Sequence, residues 1–142
     1  MMEDALLYVL DTDICIHLLN GNQVVKARVA KVGVEAISVG IPTVAELYFG
    51  AHNSKRAAEN LERVRFFLAP PGPMVLPIDD AAADCFGRFK AELRRAGQPT
   101  GDLDLLIAGI AVSRGLTVVT NNTVHFGRVP GISLENWLKS GE

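Results

Sequence analysis

The sequence predicts an α/β fold, a three-layer sandwich in which helices cover both faces of a central parallel sheet. Short apolar runs shaped like buried strands alternate with stretches of helical periodicity along the chain. The 142 residues, 49% of them hydrophobic, suffice for one domain with a sizeable core, and no internal repeat or long linker divides them. We therefore expect a single domain, residues 1–142, with a sheet of four or five strands.

The predicted strands are short, and the clearest of them is β-branched throughout its centre. They span residues 6–10, 36–39, 75–78, 116–120 and 132–134. The predicted helices cover residues 11–20, 22–32, 43–53, 54–68, 79–96 and 102–114. Gly21 and Gly115 are predicted to end two of the helices. The Pro70–Pro73 segment is predicted to interrupt regular secondary structure before the third strand.

Charge and composition exclude several classes of protein. The chain has 14 basic and 16 acidic residues, and the net charge of −2 is too small to indicate a partner. No apolar run approaches the ~18 residues that span a bilayer, and the first residues are acidic where a secretory signal is basic. Cys15 and Cys85 lie in separate apolar segments, which favours buried thiols in a reducing compartment. We expect a soluble, cytoplasmic protein without membrane contact.

Two acids follow the first predicted strand, at the edge of the sheet where α/β proteins bind ligands. Asp11 belongs to the strand end itself, where an unpaired carboxylate facing the core would be costly. Asp13 is explained equally well as the N-cap of the following helix. Asp11 is therefore the stronger candidate for a functional residue.

Glu46 lies in a first helical turn that is otherwise apolar. Thr43 precedes it by three residues, so a capping box is the alternative explanation. Gly50 lies one turn further along nearly the same face, where a glycine would let another backbone approach closely. This pattern predicts that Glu46 faces a packed cleft.

Asp104 lies in a predicted helix that is apolar on nearly every side and therefore buried. An acid in the first turn gains from the helix dipole, but Asp102 is better placed for that role as the N-cap. Asp104 needs another reason for its position, and a bound cation supplies one.

Asp11, Glu46 and Asp104 together predict a site for a hard cation. Without a counterion, carboxylates at close range would raise one another's pKa. Ligands that are all oxygen favour Mg²⁺ or Mn²⁺ over Zn²⁺, and the three histidines are scattered along the chain. A carboxylate-bound Mg²⁺ suits phosphate chemistry, because it polarises a phosphoryl oxygen and generates hydroxide from water.

Four ordered blocks of sequence give the chain a family resemblance. They are Val9–Ile16, Thr43–Ala51, Asp104–Ala108 and Leu116–Thr123, the last followed by Phe126, Val129–Gly131 and the closing Leu134–Trp137. In these blocks, which span nearly the whole chain, the sequence resembles the PIN-domain ribonucleases, specifically the VapC-like toxins of type II toxin–antitoxin systems. The resemblance implies a flavodoxin-like sheet and a magnesium-dependent endoribonuclease. It also implies inhibition by a VapB-type antitoxin and a homodimer.

The resemblance assigns roles to individual residues. The family motif places its first three acids at Asp11, Glu46 and Asp104, which implies that Asp11 and Asp104 bind the metal and Glu46 positions or deprotonates the attacking water. Residues expected to support them are Asp13, Asp102, Thr120 and Asn122. Many family members carry a fourth acid where this chain has Asn122. The resemblance therefore leaves open whether the site binds one metal ion or two.

The RNA substrate implied by the resemblance requires basic groups around the acids. The candidates are Lys55 and Arg56 near the Glu46 helix, and Arg88, Lys90, Arg94 and Arg95 ahead of the Asp104 loop. A solvated helix face is the alternative explanation for each of them.

Two other functions compete with this interpretation. The acids Asp11 and Asp13 after a strand also match the nucleophile motif of haloacid-dehalogenase-like phosphatases, although the segment before Asp102 lacks the apolar strand that this class needs. The other alternative is a non-enzymatic domain that only binds a partner. Phe66, Phe67 and Leu68 would then form an exposed patch for a partner helix.

Overall fold

The short apolar runs of the sequence form a five-stranded parallel sheet in the computed structural model, which describes residues 5–139. Its strands are β1 (Tyr8–Leu10), β2 (Ile37–Gly40), β3 (Met74–Leu76), β4 (Thr117–Val119) and β5 (Ser133–Glu135). All four neighbouring pairs are parallel, in the order β3-β2-β1-β4-β5. The prediction of a parallel sheet of four or five strands is confirmed.

Within residues 5–139, seven helices connect the strands. They are α1 (Thr12–Leu19), α2 (Gln23–Val32), α3 (Ile41–His52), α4 (Ala57–Leu68), α5 (Asp80–Arg95), α6 (Asp102–Arg114) and α7 (Thr123–Phe126), with a 3-10 turn at Val34–Ala36. Helix α3 begins before Thr43 because Pro42, which has no N–H to donate, is tolerated in a first turn. Helix α4 begins after Ser54, whose hydroxyl donates to the Ala51 carbonyl at 2.7 Å and closes α3. Helix α7, four residues long, is too short to show a period in the sequence.

The two faces of the sheet bury separate cores, because successive side chains of a strand point to opposite sides. Val9 and Val118 pack with α5 and α6 on one face. Leu10 and Val119 pack with α1, α3 and Trp137 on the other. The three layers predicted from the sequence are therefore present.

Helices α5 and α6 approach closely at Gly109. A Cβ atom on this residue would lie 2.6 Å from the carbonyl oxygen of Ala82 on α5, a distance that no side chain tolerates. The glycine is therefore required by packing, and the close contact fixes where the first turn of α6 stands against the sheet.

The strand order determines where a ligand can bind. From β1 the chain builds outward through β2 to β3, then crosses to β4 and β5 on the other side of β1. Ligands of open parallel sheets bind outside the carboxyl ends of the strands at such a switch point. Asp11 follows β1 and Thr120 follows β4, so both stand at this crevice. Within residues 5–139, none of the helices combines the length and apolar character needed to cross a membrane.

Candidate active site

Asp11 is the N-cap of α1 and is only 6% exposed. Its Oδ1 accepts a hydrogen bond from the Thr12 backbone N–H, and its Oδ2 accepts one from the Thr120 hydroxyl, each at 2.7 Å. Burial, together with the smaller effects of the nearby Asp13 and Asp104 carboxylates, raises the pKa of Asp11 to about 7, against the lowering effect of the two hydrogen bonds. Burial is therefore the main obstacle to ionisation of Asp11.

Asp13 lies in the first turn of α1, and its interpretation as the N-cap is wrong because Asp11 occupies that position. One oxygen, Oδ2, accepts from the Asn121 backbone N–H at 3.2 Å and so connects α1 to the segment after β4. The other, Oδ1, is buried and has no hydrogen-bond partner among the described residues. A buried carboxylate oxygen without a partner is costly, and a cation would satisfy it.

The carboxylates meet in one cavity of about 320 Å³, here called the carboxylate pocket. It is lined by Asp11, Thr12, Asp13 and Ile16 from the β1–α1 segment, Glu46 from α3, Leu103, Asp104 and Ile107 from α6, and Asn122. The structure thus brings Asp11, Glu46 and Asp104 together, although they are far apart in the sequence.

Glu46 is well inside α3, and its explanation as part of a capping box is wrong, because the helix begins at Ile41. Thr43 is buried within the helix, and its Oγ1 accepts a 3.2 Å hydrogen bond from the Thr12 hydroxyl. This bond joins α3 to α1 and holds Glu46 at the wall of the pocket. The close backbone approach expected at Gly50 is also wrong, since a Cβ there would meet no atom within 4 Å.

Asp104 lies in the first turn of α6, partly buried. Burial raises its pKa, His125 on α7 acts in the opposite direction, and Asp13 raises it again. His125 was not predicted from the sequence as a neighbour of the site. It lies on a helix of four residues, which is too short to give a helical period in the sequence.

Asp102 is not the N-cap of α6, contrary to the prediction. Gly101 is the N-cap, and no side chain accepts a capping hydrogen bond there. Asp102 is the first residue of the helix. Its carboxylate forms an ion pair with Lys90 at 3.0 Å, which joins the end of α5 to the start of α6. Asp102 therefore faces the neighbouring helix, and Asp104 faces the pocket.

The supporting residues Thr120 and Asn122 lie beside Asp11. Thr120 is fully buried, and its Oγ1, which donates to Asp11, also accepts from the Asn122 backbone N–H at 2.9 Å. Thr120 therefore contacts the Asp11 carboxylate directly. Asn122 itself lines the carboxylate pocket.

The six basic candidates form two groups outside the carboxylate pocket. Lys90, Arg94 and Arg95 lie in the last two turns of α5, where Lys90 contacts Asp102 at the start of α6. Arg88, two residues before Lys90, contacts the Phe89 ring and the Cys85 sulfur. Lys55 and Arg56 are exposed in the turn before α4, where Arg56 pairs with Glu59 at 3.7 Å. None of the six lines the carboxylate pocket.

The donors of the carboxylate pocket fit a hard divalent cation. The carboxylate donors are all oxygens, and the buried Oδ1 of Asp13 has no hydrogen-bond partner among the described residues. Among residues 5–139, no three His, Cys, Asp or Glu side chains are gathered closely enough to ligate one ion together. Mg²⁺ typically takes only one or two carboxylates and completes its shell with waters and substrate phosphates, so the pocket suits this mode of binding.

Comparison with known proteins shows the family to which the chain is similar. Residues 8–132 match the family model of the PIN domain. The chain is 38% identical to the tRNA(fMet)-specific endonuclease VapC of Shigella flexneri over 92% of its length and 97% of that protein, and 33% identical to ribonuclease VapC2 of Rickettsia felis over 94% and 100%. The crystal structure of DNA-bound VapBC from Salmonella typhimurium superposes with a TM-score of 0.87 and 38% identity, over 93% of this chain and 98% of that one.

These similarities decide between the alternatives left open by the sequence. PIN-domain nucleases generally use divalent metal ions, as the oxygen-lined pocket suggests. The haloacid-dehalogenase-like alternative is wrong, since Asp102 and Asp104 lie on a helix that follows a loop and the match to the PIN domain covers most of the chain. The chain belongs to the PIN-domain family, among the relatives of the VapC ribonucleases.

Proposed function

We propose that the chain is a magnesium-dependent endoribonuclease that hydrolyses RNA phosphodiester bonds and acts as the toxin of a VapBC-type pair. Mn²⁺ can replace Mg²⁺ in this role. The observation that carries the proposal is the carboxylate pocket, where four acids from three helices meet at the switch point of a parallel sheet. The names of the relatives, endonuclease and ribonuclease, support the same reaction.

Within this proposal the acids have distinct tasks. Asp11 and Asp104 would hold the ion, with the unpartnered oxygen of Asp13 beside them. When bound, the ion would stabilise negative charge on the phosphoryl oxygen and on the leaving oxygen. Glu46, partly exposed at the pocket wall, positions the attacking water and accepts its proton. Thr120 keeps the Asp11 carboxylate in one orientation, and Asn122 orients water through its amide.

The RNA backbone would extend from the pocket over the basic residues. Lys90, Arg94 and Arg95 adjoin the Asp104 side, and Lys55 and Arg56 lie beyond the end of α3. Each phosphate contact releases counterions, so binding should weaken steeply as salt rises.

An antitoxin of the VapB type is the proposed inhibitor, in keeping with the VapBC complexes among the structural relatives. Its proposed docking site is an open groove of about 750 Å³ beside α4, here called the aromatic groove. Phe66, 85% exposed, and Phe67 line the groove together with Leu18 and Val29. An exposed aromatic side chain over an apolar groove is typical of a surface that receives a partner helix. A cytoplasmic location follows from the RNA target, and a homodimer stays a prediction.

Cleavage of RNA by Asp11→Asn beside the parent chain tests the proposed function. The parent should cut RNA only with Mg²⁺ or Mn²⁺ present, and sequencing of the new RNA ends identifies the target. Asp11→Asn should lose this cleavage and keep its circular dichroism spectrum. Asp84→Asn, which neutralises an exposed acid on α5, is the matched control and should cleave normally. Cleavage by Asp11→Asn at the parental rate would refute the site.

A further inference from the structure

A second cavity adjoins the carboxylate pocket and is here called the side pocket. Its volume is about 230 Å³, and it shares Ile16 and Glu46 with the carboxylate pocket. Helix α3 contributes Gly50 to its wall, and α4 contributes Asn60 and Arg63. Whatever fills the side pocket therefore lies directly beside the proposed catalytic acid Glu46.

Gly50 has no structural reason to be glycine. It lies inside α3, where glycine costs about 0.5–1 kcal/mol relative to alanine. Its φ is not positive, and a Cβ at this position would meet no atom within 4 Å. Gly109 differs in this respect, because close packing against α5 requires a glycine there. A side chain at position 50 would instead reduce the free volume of the side pocket.

The walls of the side pocket combine an apolar surface with a planar cation. Ile16 and Leu19 supply apolar surface from α1. The Arg63 guanidinium donates to the Asn60 side-chain oxygen at 3.3 Å, to the Asn20 side-chain oxygen at 3.4 Å, and to the Leu19 carbonyl. These bonds hold the guanidinium plane in one place, at the rim of the cavity. A fixed guanidinium beside apolar surface is suited to stack on, and hydrogen-bond to, a heterocyclic base.

We infer that the side pocket binds the nucleobase adjoining the scissile phosphate, and that Gly50 keeps this subsite open. The inference rests on the proposed ribonuclease function and adds a determinant of specificity. Size favours this ligand, because the cavity is below the roughly 300–1,000 Å³ of pockets for drug-sized molecules and suits a single ring system. Position favours it too, since a base in the side pocket places its own phosphate beside Glu46.

The test compares RNA oligonucleotides that carry one abasic ribose at successive positions around the cleavage site. With the parent chain, one abasic position should lower kcat/KM about tenfold or more, because a stacked base is lost. Gly50→Leu fills the side pocket and should show a similarly lowered kcat/KM on intact RNA, with no further loss at that abasic position. Gly50→Ala adds only one carbon, so its kcat/KM on intact RNA should lie between those of the parent chain and Gly50→Leu. Gly87→Leu, at an exposed glycine of α5 with equal free space, should behave as the parent.

Each result has a distinct meaning. If the parent chain cleaves RNA and Gly50→Leu shows the same abasic penalty as the parent, the side pocket is not the base subsite and the ribonuclease function stands. If Gly50→Leu cleaves normally and instead binds antitoxin more weakly, the side pocket belongs to the protein partner and the inference is overturned. If the parent cleaves no RNA with Mg²⁺ or Mn²⁺, the proposed function fails, and the inference fails with it. Retention of Mn²⁺ binding by Gly50→Leu, measured by calorimetry, shows that the metal site is intact.

Discussion

Thr120 donates a 2.7 Å hydrogen bond to Oδ2 of Asp11, from a position 109 residues further along the chain. The same hydroxyl oxygen accepts from the Asn122 backbone N–H, so its single proton is directed to the carboxylate. A hydrogen bond to the ionised form lowers the pKa of Asp11, against the larger opposite effect of burial. Thr120 therefore helps to keep a buried acid ionised near neutral pH, where it can bind a cation.

Removal of this hydrogen bond should move the pH dependence of cleavage. In Thr120→Val the pKa of Asp11 should rise, and the acidic limb of the kcat/KM profile should shift upward by about one pH unit. Thr120→Ser keeps the hydroxyl and is the matched control. An acidic limb at the same pH in the valine variant would contradict the role given to Thr120.

Stability of the metal-free protein should fall as pH rises from about 4 to 7. The folded chain holds the Asp11 proton with a pKa of about 7, against 3.8 ordinarily, so it binds more protons than the unfolded chain in this interval. Thermal unfolding should therefore give a lower Tm at pH 8 than at pH 5.5, and Mn²⁺ should raise Tm more at pH 8. Asp11→Asn, which removes the charge, should abolish most of both differences. Equal Mn²⁺ effects at the two pH values would count against a metal bound to Asp11.

The aromatic groove and the carboxylate pocket should be separable by mutation. Phe66→Ser removes an aromatic side chain that is 85% exposed, so folding should change little. Binding of the antitoxin should weaken about tenfold or more, while RNA cleavage stays at the parental rate. Met74→Ser, at another exposed apolar residue, is the control and should leave antitoxin binding unchanged. Unchanged affinity in the Phe66 variant would place the antitoxin elsewhere.

Two helical glycines should respond in opposite ways to alanine. Gly109→Ala places a Cβ 2.6 Å from the Ala82 carbonyl oxygen and should lower the free energy of unfolding by about 1–3 kcal/mol. Gly87→Ala meets no atom within 4 Å and should raise it by up to about 1 kcal/mol. Urea unfolding of both variants measures the difference, and a stabilised Gly109→Ala would show that α5 and α6 can separate at little cost.

The sequence was sufficient to predict the parallel sheet and the cavity where Asp11, Glu46 and Asp104 come together. Strand ends, and acids within apolar segments, are patterns that can be recognised locally in a sequence. It was insufficient where the answer depended on a neighbour distant in the chain. Gly50 and Gly109 are both glycines inside helices, yet only the structure shows that Ala82 approaches Gly109 and that Gly50 faces open space. Asp102 and Gly101 are adjacent candidates for one cap, and the contact of Asp102 with Lys90 required the packing of α5 on α6.

The position of β1 between β2 and β4 affects when the protein becomes active during its own synthesis. Chains are made from the N-terminus, so Asp11 emerges from the ribosome 109 residues ahead of Thr120. Until β4 has been added, β1 has an open edge, and the Asp11 carboxylate lacks its hydrogen-bond donor. An unfinished chain therefore has no complete site with which to cut RNA. In this topology, the Asp11 carboxylate is completed as a site only after β4 has joined the sheet.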